Sequence, residues 1–142
     1  MTIAFAADAN VIVSAQLVQH PEAPYRRVYE AIFDDRFQHY VTTRLLAEYR
    51  DVLLRPTVQS RHRLTHDEVR RVVDSIGLAS LELSPPRAIA KAPDRGDQHL
   101  WDLLAGYPEV RLVTGDPLLL SSDHFPTRVL SPRRFVEDFL TT

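Results

Sequence analysis

Cysteine is missing altogether from this sequence, and with it go thiolate metal sites, thiol nucleophiles and disulfide staples. The absence fits a reducing compartment, and a cytoplasmic location is expected. Glycine is scarce: it stands only at positions 77, 96, 106 and 115, so no Gly-rich loop exists to cradle phosphates, which removes P-loop and dinucleotide readings. Lysine is reduced to Lys91, although arginine brings the basic total to 17 against 19 acids, a formal net charge of −2. That near-balance exerts no global pull toward nucleic acid. No apolar run approaches the roughly 20 residues of a membrane-spanning helix. The opening MTIAFAADAN has neither a basic n-region nor a long apolar core and reads as a first strand, not a signal peptide. Six histidines show no H-E-x-x-H spacing, and His99, close to Asp97, is the only one to watch as a ligand.

What remains is an alternation of strand-like and helix-like segments over 142 residues, a length that suits a single domain, 1–142, able to bury a core without staples. The alternation predicts an α/β fold with a central, mainly parallel five-stranded sheet flanked by helices in α/β/α layers. Strands are expected near Ile3–Ala7, Phe37–Val41, Leu81–Leu83, Leu112–Thr114 and Arg128–Leu130. Asn10 can cap a helix through Gln19, and Pro24 suits the first turn of one through Asp34. Thr42 or Thr43 caps the next through Leu54, which Pro56 ends. Thr65 with Glu68 three residues on forms a capping box for a helix to Ile76, closed at Gly77. Asp94 or Gly96 opens a helix through Ala105 that Gly106 closes, and Ser131-Pro132 starts the last. The Pro-rich SPPRAIAKAP reads as a surface loop.

Acids recur where such a sheet gathers them. Asp8 follows the apolar run Ile3–Ala7, and Asp116 follows Leu112 to Gly115, so both fall at the carboxyl ends of strands, where open α/β sheets place their sites. Gly115 permits a turn there, Thr114 adds a hydroxyl, and Asn10 either caps or points into the cleft. Glu48 lies beside the arc formed by Leu45, Leu46, Tyr49, Val52 and Leu53, so it can face the sheet; a surface pair with Arg44 or Arg55 is the alternative. Asp94 and Asp97 fit either as a cap and a first-turn acid or as ligands held at a helix start. Carboxylates gathered at one edge repel one another, a cost that a divalent cation between them removes. Trp101, in step with Leu100 and Leu104, reads as core.

Taken in order, D-x-N-V-I-V-S-A from Asp8, E-Y-R-x-V-L from Glu48, D-x-x-D-x-x-L from Asp94 and V-T-G-D-x-x-L-L from Val113 resemble the PIN-domain nucleases. The branch most similar is the bacterial one described as VapC-like toxin components of toxin–antitoxin pairs. Nearly the whole chain is covered, and the first and last motifs are the specific ones. The resemblance implies a PIN-like fold whose metal-binding and catalytic acids are Asp8, Glu48, Asp97 and Asp116, supported by Asn10, Ser14, Asp94 and Thr114. It implies Mg²⁺ or Mn²⁺ as cofactor and endoribonuclease activity on single-stranded or looped RNA. It also implies a cognate antitoxin protein and a homodimer, with no membrane association. Arg44 and Arg95, near the acids in sequence, are the candidate RNA contacts. Departures are modest: Arg95-Gly96 stand between the paired acids, Gln98 replaces a common Asn, and Pro117 follows the last acid.

Two readings compete. A non-catalytic PIN-like interaction domain would keep the acids without turnover. A haloacid-dehalogenase-like phosphatase would use Asp8 as nucleophile with Thr43 and Lys91 assisting and Asp116 and Asp123 holding Mg²⁺, but it needs a second aspartate as general acid where this chain has Asn10.

Overall fold

In a computed structural model, which describes residues 2–141, five short strands form one sheet. They are β1 (Ile3–Ala7), β2 (Phe37–Val41), β3 (Ser80–Glu82), β4 (Arg111–Val113) and β5 (Val129–Leu130), in the order β3-β2-β1-β4-β5. Each pairing is parallel, so the expected mainly parallel sheet is wholly parallel. Each strand falls within a residue or two of its expected place. Burial of Ala4, Phe5, Ala6 and Ala7 in succession, with no alternation, requires helices on both faces of β1.

The chain lays β2 and β3 to one side of β1, then returns to put β4 and β5 on the other. That reversal makes β1 and β4 neighbours, with Ala7 opposite Val113. It also creates a switch point at their carboxyl ends, where successive connections leave in opposite directions and a crevice opens. The fold thereby brings together Asp8 and Asp116, which are 108 residues apart in sequence.

Helices α1 (Ala9–Leu17), α2 (Pro24–Ala31), α3 (Thr43–Leu53), α4 (Pro56–His62) and α5 (His66–Ala79) precede a 3₁₀ turn (Arg95–Asp97), and α6 (Gln98–Gly106), α7 (Pro117–Leu120) and α8 (Pro132–Phe139) follow it. Local chemistry explains most starts. Thr42 caps α3 through the Leu45 amide, Ser131 caps α8 through the Arg134 amide, and Thr65 and Glu68 form the expected reciprocal box on α5. Phe5, Phe37 and Phe135 pack with ring centroids 4.9–5.9 Å apart, which ties α8 to the centre of the sheet.

Several expectations need correction. The cap of α1 is Asp8, whose carboxylate accepts from the Ala9 amide, and not Asn10; the helix ends at Leu17. Pro56 does not merely end α3: it occupies the first turn of α4, a helix the sequence reading omitted. Gly77 lies inside α5, which runs on to Ala79, and Gly106 is the last residue of α6. The short α7, started by Pro117 under an Asp116 cap, was also unforeseen. Among the described residues no helix is long and apolar enough to cross a membrane.

One arginine holds the β4–β5 half together. Thr127, at φ 69°, turns the chain through a conformation that β-branched residues rarely adopt. Arg128 then donates from Nη2 to the carbonyls of Leu104, Tyr107 and Val110 at 2.8–2.9 Å, and from Nε to Val110 at 3.1 Å. A lysine cannot reproduce that fork. Arg128→Lys is expected to lower unfolding free energy by about 1–3 kcal/mol, since three carbonyls lose donors in a partly buried setting; urea denaturation of the two proteins checks this.

Candidate active site

The crevice at the switch point is built on two strand ends stitched together. The Asp8 amide donates to the Val113 carbonyl at 2.9 Å, extending the β1–β4 ladder by one residue. The Asp8 carboxylate then has both oxygens occupied: Oδ1 accepts from Ala9 N at 2.8 Å, and Oδ2 accepts from Thr114 Oγ1 at 2.8 Å and Asn10 Nδ2 at 3.2 Å. Asn10 also accepts from the Gly115 amide, and Thr114 Oγ1 accepts from the Asp116 amide at 3.0 Å. Thus Asp8, Asn10, Thr114 and the backbone leading to Asp116 form one hydrogen-bonded knot. Asp8 and Thr114 are buried. Burial is the main cause that raises the Asp8 pKa, opposed by the Thr114 and Ala9 hydrogen bonds, with the Glu48 charge adding to the rise and His99 opposing it.

Behind Asp8, the backbone of Ala7 is held by side chains on both sides. Its amide donates to His39 Nε2 at 3.1 Å, and its carbonyl accepts from the Tyr49 hydroxyl. His39 Nδ1 lies 2.7 Å from Ser80 Oγ, which donates to the Ile76 carbonyl. Since Nε2 must accept from Ala7, the proton is assigned to Nδ1 and the ring is neutral. Burial alone lowers the His39 pKa to about 3. Tyr49 is fully buried on α3, next in sequence to Glu48, so the same helix turn that clamps Ala7 presents Glu48 to the crevice.

Glu48 meets His99 there. Glu48 Oε2 and His99 Nε2 are 2.7 Å apart with side chains only 25% and 13% exposed, yet neither atom, nor His99 Nδ1, finds an aligned hydrogen-bond partner. The distance marks a close polar contact and the angles deny it a full hydrogen bond. Asp97 ends the 3₁₀ turn and, although it stands at the start of α6, makes no side-chain cap. Its pKa is pushed up to about 6 by burial and then by the charges of Asp8, Asp116, Asp94 and Glu48. Asp116 caps α7 through Leu118 N at 2.9 Å using Oδ1, and Asp94 caps the 3₁₀ turn through Gly96 N at 2.9 Å.

The structure therefore draws Asp8, Glu48, Asp94, Asp97 and Asp116 into one electrostatically coupled group, with Asn10 and Thr114 bonded into it. Arg44 is exposed and lines a groove of about 370 Å³ together with Glu48, Asp51, Arg55, Gly96 and Asp97. Arg95 faces a different groove, with Arg87 and Lys91. Ser14, six residues along α1 from Asp8, makes no side-chain hydrogen bond to Asp8, Asn10 or Thr114. Gly115 has an unexpected role. Its φ is not positive, so the turn does not require glycine, but a Cβ there would lie 2.6 Å from the Tyr25 hydroxyl. Tyr25, His39 and Tyr49 were missed by the sequence reading. Only Tyr49 carried a signal, its place beside Glu48 in a helical apolar arc.

Whether these residues suit a divalent cation can be judged from the charges. The charges acting on Asp97 are all carboxylates, and buried Glu48 Oε2 makes no aligned hydrogen bond, only its close contact with His99. Oxygen-rich, unneutralised groups of this kind match hard divalent ions. Among the described residues no three His, Asp or Glu side chains already close into a cage. The donor chemistry fits, and the cage is not preformed.

Residues 6–117 match the family model described as PIN domain. No curated protein matches the chain.

The Ala7 clamp makes a pH prediction. A proton on His39 Nε2 would turn the acceptor of the Ala7 amide into a donor and break the clamp. With a folded pKa near 3 against an unfolded value of about 6.5, the stability from neutral His39 is complete above pH 6.5 and is lost as pH falls toward 3. The limiting slope is about 1.4 kcal/mol per pH unit for one proton. Urea denaturation between pH 7 and 4 should show a component of this slope in the wild type that His39→Gln lacks.

Proposed function

The chain belongs to the PIN-domain family, and from that premise we propose that it is a metal-dependent ribonuclease, the toxin of a toxin–antitoxin pair. One observation carries the nuclease reading: a coupled group of carboxylates at the sheet switch point, where burial first, and then the charges of Asp8, Asp116, Asp94 and Glu48, lift Asp97 to about 6. Asp97, Asp116 and Glu48 have carboxylate oxygens without donors and would hold Mg²⁺ or Mn²⁺, with Asp8 completing the set from the base of the crevice and Asp94 in support. When bound, such an ion supplies positive charge against a phosphate oxygen and acidifies water.

The chain's own residues then have distinct roles. Thr114 and Asn10 fix the Asp8 carboxylate in one orientation through Oδ2. The Tyr49 and His39 clamp fixes the backbone that carries it. Asp94 shapes the turn that holds Asp97 over the crevice. Arg44, exposed on the rim of the Glu48–Asp97 groove, offers a fork that matches a phosphodiester. RNA as the substrate, the toxin role, the homodimer and the antitoxin partner are extensions carried by the motif resemblance, and two-fold dimers are the commonest assembly. The phosphatase alternative is weakened by Asn10, which is committed to Asp8, Thr114 and Gly115 and has no proton to exchange.

Purified protein is expected to cleave RNA with Mn²⁺ or Mg²⁺ and to stop with EDTA. Asp8→Asn, Asp97→Asn and Asp116→Asn should each slow cleavage by at least about a hundredfold, the scale of losing a positioned electrostatic group; an unchanged rate in Asp8→Asn would overturn the assignment. A second readout needs no turnover. At neutral pH and in EDTA, Asp97→Asn should melt higher than wild type, because a raised carboxylate pKa means that ionisation opposes folding above about pH 6. Mn²⁺ should stabilise the wild type more than the variant.

The partner proposals have their own measurements. Light scattering at micromolar concentration should give a dimer mass. Expression of the chain alone should arrest growth, and co-expression with a small neighbouring gene product should relieve it. A monomer removes the dimer, and harmless expression removes the toxin.

A further inference from the structure

The Pro-rich segment between β3 and the 3₁₀ turn is not a loose surface loop. Three positions of α6 spaced four residues apart hold it along one face of that helix. At the far end, bare Gly106 lets Pro85 pack so closely that a Cβ there would sit 3.3 Å from the proline Cβ. In the middle, Asp102 Oδ1 accepts from the Ala88 amide at 2.7 Å. At the near end, Gln98 accepts from the Ala92 amide at 3.0 Å and donates to the Ala90 carbonyl at 3.1 Å, while also donating to Asp102 at 3.0 Å. The segment thus runs antiparallel to α6, whose Gln98–Gly106 span is about 12 Å.

This anchoring sets Arg87, Lys91 and Arg95, again four apart, along a single groove of about 520 Å³. All three are exposed, and none forms an ion pair or side-chain hydrogen bond among the described residues. Some arginines elsewhere are occupied, Arg36 with Asp34, Arg70 with Asp67, Arg134 with Asp138 and Arg128 with carbonyls, whereas these three cations stand free side by side along one groove. The row also has a direction. Arg95 and Asp97 are the two ends of the 3₁₀ turn, Arg95 lining this groove and Asp97 the Glu48–Asp97 groove.

We propose that Arg87, Lys91 and Arg95 form a subsite for the sugar–phosphate backbone of a single-stranded nucleic acid, leading away from the acid cluster along α6. The proposal rests on the nuclease reading, which supplies the reason for a phosphodiester at the end of the row. A linear polyanion with regularly repeated charge matches a row of unneutralised cations on a rigid support. Gln98 and Asp102 act as positioning residues by holding the segment against α6.

The test uses full-length Asp8→Asn protein in EDTA, so that binding is read without cleavage. Fluorescence anisotropy with a labelled oligouridylate is recorded over a range of KCl concentrations. In that background Arg87→Gln/Lys91→Gln should weaken binding about tenfold at low salt and reduce the slope of log K against log salt by about 0.7 per lost phosphate contact. Arg70→Gln/Arg71→Gln, the same charge change on α5, should leave both unchanged. Melting curves establish that the variants are folded. Binding that is unaffected by the groove variant, or weakened equally by the α5 control, overturns the subsite while leaving the nuclease reading in place. Equal displacement of the label by polyglutamate would show that the row selects any polyanion and overturns the nucleic-acid assignment. Absence of binding by the Asp8→Asn parent overturns the subsite, while metal-dependent cleavage by the wild type judges the nuclease reading separately.

Discussion

The geometry of the crevice depends on the backbone of Ala7, one residue before the central acid, which pairs with Val113 of β4 and whose own amide and carbonyl are held by the buried side chains of His39 and Tyr49. In the β1–β2 ladder the paired residues run from Ile3 to Phe5. Beyond them the amide and carbonyl of Ala7 need other partners, since buried backbone groups left unpaired cost about 1–3 kcal/mol each. His39 from β2 and Tyr49 from α3 meet that need, and Ser80 passes the constraint to the α5 carbonyl at Ile76. Five elements thereby fix the direction in which the chain leaves β1. The Asp8 carboxylate inherits that direction, and Thr114 and Asn10 lock it to β4.

Once the strand ends are joined, the electrostatics follow. A formal charge of −2 conceals a segregation of signs: carboxylates crowd the switch point, while many arginines are paired with acids or carbonyls elsewhere on the molecule. Burial and like charge act together on Asp97. Neighbouring Arg44 is exposed on the groove rim and does not figure among the charges felt by that carboxylate. The fold therefore carries unfavourable charge at the crevice, which is sustainable because the aromatic core around Phe5 and Phe135 is stabilised independently of it.

How much of this was legible beforehand varied with the range of the interactions. Strand positions and most helix starts were readable because apolar runs, capping residues and prolines act within a few residues. Pro56 was misjudged because the same residue that cannot continue α3 is well suited to begin α4. Gly77 was taken as a stop because glycine favours helix ends, but tertiary packing beside Leu46 carries the helix past it. Asp8, Asp97 and Asp116 could be nominated from strand ends and motif order. Their mutual coupling could not, since it depends on the return of the chain that makes β4 a neighbour of β1. His39, Tyr25 and the Gln98–Asp102 brace lay beyond reach for the same reason: each acts on a residue remote in sequence or through a loop whose path no local pattern specifies. Arg95 shows the limit of proximity in sequence, because two residues from Asp97 it already faces a different groove.

The two readings of the acids, as helix caps and as ligands, turn out not to exclude one another. A carboxylate has two oxygens, and a cap uses one. Asp116 holds the Leu118 amide through Oδ1, which sets the rotamer and leaves Oδ2 directed by the backbone of α7. Asp94 caps the 3₁₀ turn and so determines where Asp97 stands, while Asp97, which makes no cap itself, keeps its whole carboxylate available. Capping is thus a means of orientation: it fixes acids that would otherwise swing apart under mutual repulsion. Only Asp8 has donors on both oxygens, and it is also the most deeply buried member. That places it as the base on which the others are arranged, and it explains how a chain with four glycines and no phosphate-cradling loop can still build a rigid, anionic crevice.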